Sequence, residues 1–138
     1  MTSSANYART QILTASPAQL RSLLLKRAVQ EALNLRQALA ADDGEHVLDA
    51  GNRLRNVVLE MLSAVSPGVD PELLQRLRQT SVYLYRRIGD ACGLRDAAAA
   101  EEVIDLLQYE QETWLQAMNR LQAEEQPRPA PGRTNLAG

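Results

Sequence analysis

Apolar residues recur at three- and four-residue spacing through most of this chain, which is the spacing of one face of an α-helix. Turn signals divide the pattern into four stretches, which predict helices over residues 17–41, 45–65, 71–93 and 97–125. The first helix carries two adjacent apolar rows, made of Leu20, Leu24, Ala28, Ala32, Leu35 and Leu39 and of Leu25, Val29 and Leu33. Its apolar face is therefore wider than the core of a bundle needs, which predicts a groove beside the second row.

Start and stop signals lie at the predicted boundaries. Ser16 is an N-cap residue, Pro17 suits the first helical position, and Gln19 completes a capping box. Asp70-Pro71-Glu72 starts the third helix in the same way. Gly44 suits a left-handed stop after the first helix. Likewise, Gly93 is predicted to end the third helix and Asp96 to cap the fourth.

Short connections between long helices favour antiparallel neighbours. The predicted fold class is therefore all-α, an antiparallel up-down four-helix bundle over residues 16–125. Residues 1–15 form a short N-terminal segment ahead of the bundle. Residues 126–138 read as a disordered Pro-rich tail, because three prolines within five residues cannot continue a helix.

The predicted first and fourth helices carry opposite charge. Residues 17–41 have a net charge of +3, and residues 96–125 have a net charge of -7. Helices 1 and 4 are neighbours in an up-down bundle, so these charges favour their pairing. Exposed ion pairs contribute only about 0–1 kcal/mol each, so they select register more than stability.

Composition narrows the function classes. The chain has 138 residues, the size of one domain, and a net charge of -2 that argues against nucleic acid as the main partner. No apolar stretch is long enough for membrane insertion, and the first residues lack a signal-peptide pattern. The single cysteine, Cys92, excludes an internal disulfide and fits a reducing cytoplasm.

Few residues of the chain could support catalysis or bind a metal ion. A di-iron bundle needs Glu-x-x-His on two helices, and the chain has only His46. A histidine phosphotransfer module is the better enzyme-like alternative. Such modules have a lysine one turn after the histidine, and none follows His46, so His46 is interpreted as a solvated polar residue. Cys92 precedes Gly93 at a helix end, where the dipole disfavours a thiolate, and it is interpreted as an apolar filler. We therefore predict no catalytic residue, no metal site, no cofactor and no enzyme.

Several motifs, taken in order, resemble those of the flagellar secretion chaperone FliS family. The opening Asn6-Tyr7, the Thr14-Ala15-Ser16-Pro17 cap and the Asp70-Pro71-Glu72 helix start are similar to the family's pattern. The same holds for Tyr83-Leu84-Tyr85-Arg86-Arg87-Ile88 in the third helix and for the last helix, which ends near Trp114. The resemblance covers about residues 6–118.

One segment departs from the family pattern. Members usually read Leu-Tyr-Asp-Gly-Ala where this chain reads Leu24-Leu25-Lys26-Arg27-Ala28. Glycine on a helix lets another backbone approach closely, and Arg27 would fill that space and add charge. The departure bears on the client and on how it docks, whereas the fold is expected to survive.

The resemblance implies a cytoplasmic export chaperone. Such a chaperone binds the C-terminal segment of flagellin, prevents premature polymerisation and presents the subunit to the flagellar export gate. It implies too that residues 1–15 form a cap over an apolar groove. The alternative is a diverged adaptor or co-chaperone with another client, for which Lys26 and Arg27 would contact an acidic partner.

The predicted partner-binding residues come from the N-terminal motif, the first helix and the third helix. We expect a monomer or weak dimer, with no nucleic acid partner. The residues are Tyr7, Ile12, Leu13, Leu24, Leu25, Arg27, Val29, Leu33, Tyr83 and Arg87.

Overall fold

The computed structural model of the protein describes residues 16–65 and 68–125. These residues form four α-helices and no strand: α1 (Pro17–Ala40), α2 (Gly44–Ser63), α3 (Pro71–Gly93) and α4 (Ala97–Glu125). The predicted all-α class and all four predicted helices are confirmed, with ends that differ by at most two residues. The predictions of a cap segment at 1–15 and of a disordered tail at 126–138 lie outside the described residues.

Local side-chain chemistry sets the helix starts. The Ser16 hydroxyl accepts the Gln19 backbone N–H, and the Gln19 side chain accepts the Ser16 N–H, so the predicted capping box is present. Asp70 caps α3 by accepting the Glu72 N–H, and Asp96 accepts the Ala99 N–H at the start of α4. These three starts are confirmed as predicted.

The turn between α1 and α2 differs from the prediction. Asp42, with φ 52°, takes the left-handed conformation that we expected of Gly44. Gly44 is instead the first residue of α2, and Asp43 caps that helix by accepting the His46 N–H. Asp and Asn tolerate the left-handed region better than other non-glycine residues, which allows the stop to fall two positions earlier.

Each helix packs against two neighbours, in the cyclic order α1–α2–α3–α4. The order along α1 is reversed on α4, because Ser22 meets Trp114 whereas Arg36 meets Glu101. This reversal is the antiparallel arrangement that the short connections predicted. The Arg36–Glu101 ion pair, at 3.3 Å, also joins the oppositely charged helices α1 and α4 as expected.

The wide apolar face of α1 has a structural explanation. Because α1 packs against both α2 and α4, it needs two apolar rows rather than one. Leu25 is 0% exposed, and Val29 and Leu33 are partly buried against the core. The expectation that the second row borders an exposed groove is therefore wrong for Leu25.

The buried core is apolar throughout the described residues and lies mostly toward one end of the bundle. We call this the closed end: the second half of α1, the first half of α2, the second half of α3 and the first third of α4. Small residues let the helices approach closely there, and Gly51 packs directly against Cys92. The small buried residues at this end are Ala32, Ala38, Ala50, Gly51, Ala91, Cys92, Ala99 and Ala100.

We call the opposite end of the bundle the open end. It comprises the start of α1, the end of α2, the start of α3 and α4 beyond Leu107. The first half of α3 contributes no buried residue, and neither does α4 after Leu107. The helices at this end are therefore less completely packed than at the closed end.

Candidate functional site

An apolar cleft of about 480 Å³ lies among all four helices at the open end. Its lining is almost entirely hydrocarbon, with one cation, one carboxylate and one hydroxyl among fourteen residues. Those residues are Pro17, Ala18, Arg21, Leu24, Met61, Ala64, Val65, Val69, Leu73, Leu77, Glu110, Thr113, Trp114 and Ala117.

The cleft exists because apolar positions of α3 lack full packing partners. Leu73 is 48% exposed and Leu77 is partly buried, although both lie on the row that continues into the buried Leu84 and Ile88. The same row is thus core at one end of α3 and cleft wall at the other. An apolar surface of this kind inside a concave site is a typical place for another apolar segment to bind.

Trp114 forms the rim of the cleft where α4 faces α1. Its indole Nε1 donates to the Ser22 hydroxyl at 2.7 Å. The Arg21 guanidinium lies over the indole ring at 5.3 Å from its centroid and pairs with Glu110 at 3.7 Å. These contacts hold the indole edge in place while its apolar surface lines the cleft, and they put a charged pair on the rim.

The apolar surface continues along α4 past the cleft. Leu115 and Leu121 are half-exposed, and Met118 is partly buried on the same end of the helix. Trp114, Met118 and Leu121 are spaced by four and three residues, so they share one face. The last turns of α4 therefore extend the cleft wall beyond the body of the bundle.

A second feature joins α3 and α4 on their polar side. The Tyr83 hydroxyl donates to Glu102, and Arg87 pairs with Asp90 and Glu102 at 3.1 and 3.3 Å. The hydrogen bond to Glu102 is the main reason that the pKa of Tyr83 is raised. Likewise, the hydrogen bond to Asp90 is the largest cause of the raised pKa of Arg87. This cluster ties two helices together and presents no nucleophile.

The described residues offer little for catalysis or metal binding. No group of three or more His, Cys, Asp or Glu side chains within 16–65 and 68–125 is arranged to hold a metal ion. Burial raises the pKa of the Cys92 thiol, which disfavours the thiolate. His46 is exposed, and its ring lies against the carboxylate of the cap residue Asp43.

The predicted site residues that the structure describes fall in four places. Leu24 lines the cleft, whereas Leu25, Val29 and Leu33 belong to the packing around the core. Arg27 is exposed on α1. Tyr83 and Arg87 lie at the α3–α4 seam, and Tyr7, Ile12 and Leu13 lie outside the described residues. A role in partner binding stays a prediction for each of them.

The prediction missed several residues that line the cleft, among them Arg21, Met61, Val65, Leu73 and Leu77. The sequence signal for Leu73 and Leu77 was their place on the α3 stripe, but a stripe does not say which part of it stays uncovered. Nothing in the local sequence singled out Arg21, because its contacts are with residues on α4.

The geometry defines a class of protein: a small helical bundle with an apolar cleft and a charged rim at one end. The family model for the flagellar protein FliS matches residues 1–121. The chain therefore belongs to the FliS family, whose members are flagellar export chaperones and not enzymes. No curated protein matches the chain significantly.

The family assignment confirms the resemblance predicted from the motifs. None of the four described helices is both long and apolar enough to cross a membrane.

Proposed function

We propose that this chain is a cytoplasmic export chaperone that binds the C-terminal segment of flagellin in the open-end cleft. The single observation that carries the proposal is the apolar cleft of about 480 Å³, bounded by all four helices, in a member of a flagellar chaperone family. An amphipathic client helix would bury its apolar face against Leu73, Leu77 and Trp114.

The expected free energy of client binding is compatible with reversible binding. If the cleft and the α4 extension remove about 1,000 Å² of apolar area from water, the gross gain is on the order of 25 kcal/mol. Loss of translational freedom and ordering of the client offset most of that gain. Sub-micromolar affinity is the expected result, which suits a chaperone that must release its client at the export gate.

Binding the C-terminal segment also accounts for how the chaperone would prevent premature polymerisation. A client segment whose apolar face is buried in the cleft has no apolar face left for other flagellin subunits. No bond is made or broken, so the chain's residues act only by covering and releasing a surface.

Titration calorimetry of the full chain with flagellin's C-terminal segment tests the proposal. We expect a 1:1 complex with a negative heat-capacity change, which is the mark of apolar burial. Absence of both binding heat and co-elution at tens of micromolar would rule the proposal out. A segment from the middle of flagellin is the matched control and should not bind.

We propose in addition that residues 1–15 cover the cleft when no client is bound. Pro17, which follows this segment, itself lines the cleft. Fifteen residues span up to about 50 Å when extended, so Tyr7, Ile12 and Leu13 are within reach of the apolar walls. A cap that must be displaced lowers the apparent affinity of the client.

Deletion of residues 2–13 tests the cap. The truncated chain should bind the flagellin segment more tightly, because no displacement is needed. Equal or weaker binding would refute the cap and leave the client proposal standing. A variant with Tyr7, Ile12 and Leu13 all changed to Ser keeps the length of the segment and should behave like the deletion.

A diverged adaptor with an acidic client is the second candidate. Lys26 and Arg27 favour it, since both are exposed on α1 where the family pattern has an acid and a glycine. The substitution Arg27→Glu separates the two candidates. Loss of an acidic partner with unchanged flagellin binding favours the adaptor, whereas loss of flagellin binding places Arg27 at the client interface.

A further inference from the structure

The outward face of α3 is cationic in a chain whose net charge is negative. Residues 73–89 contain four arginines and no acid, although the whole chain has a net charge of -2. Two of these arginines are paired: Arg76 with Glu72 and Arg87 with three acids at the α3–α4 seam. The other two, Arg78 and Arg86, have no ion-pair partner within the residues that the structure describes.

Arg78 and Arg86 lie on one row of the helix with Val82 between them. All three are exposed, and Val82 keeps 49% of its surface accessible. A shallow groove of about 440 Å³ runs between this row and the neighbouring row of Gln75, Gln79 and Tyr83. The face thus combines two cations, an apolar centre and amide groups, with no carboxylate of its own.

Packing within the bundle does not explain this face. The buried side of α3 points the other way, through Leu84 and Ile88. Tyr85, on the flank toward α2, lies under Arg55 at 5.8 Å from the guanidinium carbon, so a third cation borders the face. Arginine is enriched at protein–protein interfaces relative to the rest of the protein surface.

We propose that the outward face of α3 docks an acidic amphipathic helix of a protein other than the client. Arg78 and Arg86 are eight residues apart, which is about 12 Å along the helix axis at 1.5 Å per residue. A partner helix matches this spacing with carboxylates seven or eight residues apart. An apolar residue midway between them would rest on Val82.

Two other occupants of the face are outcomes of the test. A second copy would present its own acidic helix α4, which exposes Asp105 and Glu112 seven residues apart with Tyr109 between them. A nucleic acid would meet repulsion from the acidic α4, which is the neighbour of α3.

The docking face and the client cleft are on different sides of α3. Leu77 lines the cleft, whereas Val82 points away from it. The proposal therefore does not depend on the identity of the client, and both surfaces are available at the same time.

Calorimetry with a synthetic helical peptide tests the docking face. The peptide carries two glutamates eight residues apart with a leucine midway, and a scrambled peptide of the same composition is its control. Full-length chain with Arg78→Glu and Arg86→Glu is compared with a second double variant, Arg95→Glu with Arg120→Glu. Both double variants have the same net charge, and all four substituted positions are exposed.

We expect the Arg78/Arg86 variant to bind the peptide at least about tenfold more weakly than the native chain, since attraction becomes repulsion at both contacts. The Arg95/Arg120 variant should stay within about twofold of the native chain, because those positions lie off the face. Flagellin-segment binding should be unchanged in the Arg78/Arg86 variant, which separates this proposal from the proposed function.

Four outcomes would overturn the proposal. Self-association of the native chain in sedimentation velocity that is lost in the Arg78/Arg86 variant would assign the face to a second copy. Equal weakening by both double variants would mean that net charge alone attracts the peptide. Equal binding of the scrambled peptide would mean that spacing is irrelevant. Competition by a single-stranded oligonucleotide would assign the face to nucleic acid. Circular dichroism of each variant checks that the bundle is folded, so that a loss of binding is distinguished from a loss of folding.

Discussion

At the closed end of the bundle, alanine, glycine and cysteine let the helices approach closely, and the core residues there have almost no exposed surface. At the open end, larger side chains such as Met61, Leu77 and Trp114 surround space that they do not fill. Both ends use the same helical spacing of apolar residues. The difference teaches that this spacing builds a core where all four helices contribute buried residues, and a cleft where the first half of α3 and the last part of α4 contribute none.

The largest expected effect comes from truncating a leucine to alanine at each end of the bundle. Leu35→Ala removes a side chain with 0% exposure and should lower the free energy of unfolding by about 2–5 kcal/mol. Leu77→Ala, at the cleft wall, should cost about 1 kcal/mol or less, because Leu77 is already partly exposed. Urea denaturation measures both. Equal losses would contradict the division into two ends.

A smaller effect is expected when Trp114 is changed to Ala. The indole lines the cleft, so binding of the flagellin segment should weaken by about 2 kcal/mol, the size of a central interface residue. Titration calorimetry gives the value. Tyr109→Ala is the matched control, since Tyr109 is an exposed aromatic residue of α4 outside the cleft. Similar losses for both variants would remove the cleft from the binding site.

The close contact of α2 and α3 predicts that Gly51→Ala changes the stability of the fold in opposite directions with and without the Cys92 thiol. A Cβ on Gly51 would lie 2.3 Å from the Cys92 Sγ but 3.7 Å from its Cβ. Gly51→Ala should therefore destabilise the native chain by about 1–2 kcal/mol through overpacking. In a Cys92→Ala background it should stabilise by up to about 1 kcal/mol, because alanine is the better helix former. Thermal unfolding of the native chain, the two single variants and the double variant tests this cycle. Additive effects of the two substitutions on stability would refute the contact.

The smallest effect concerns the cap at the closed end. The His46 backbone N–H, followed by the His46 ring, lowers the pKa of Asp43 from its usual value of 3.8. This shift stabilises the folded chain at pH values above 3.8, the usual pKa of the group. The stabilisation is lost as the pH falls through the lowered pKa of the folded chain. Asp43→Asn keeps a capping group without the charge, so its melting temperature should fall slightly less between pH 6 and pH 3. An identical pH dependence in both chains would contradict this linkage.

Local chemistry made the helix starts predictable. Ser16, Asp70 and Asp96 act on N–H groups two or three residues away, so the sequence around each contains the whole interaction. The stop after α1 was placed wrongly, because both Asp42 and Gly44 tolerate the left-handed conformation and the local sequence does not choose between them.

The candidate site was less predictable, because burial depends on residues far away in the chain. Leu25 and Leu77 have equivalent places on apolar stripes, yet one is fully buried and the other borders the cleft. The contacts that distinguish the two come from other helices. The Arg21–Glu110 pair and the Trp114–Ser22 hydrogen bond likewise join residues about ninety positions apart.

Trp114 is the single tryptophan of the chain, and it lies on the rim of the cleft beneath a guanidinium group. The protein therefore carries an intrinsic optical reporter at its binding surface. A segment that enters the cleft and excludes water from the indole should move the emission to shorter wavelength. A helix docked on the outward face of α3 should leave the emission where it was. One spectrum, recorded without any label, thus tells the two occupied states apart.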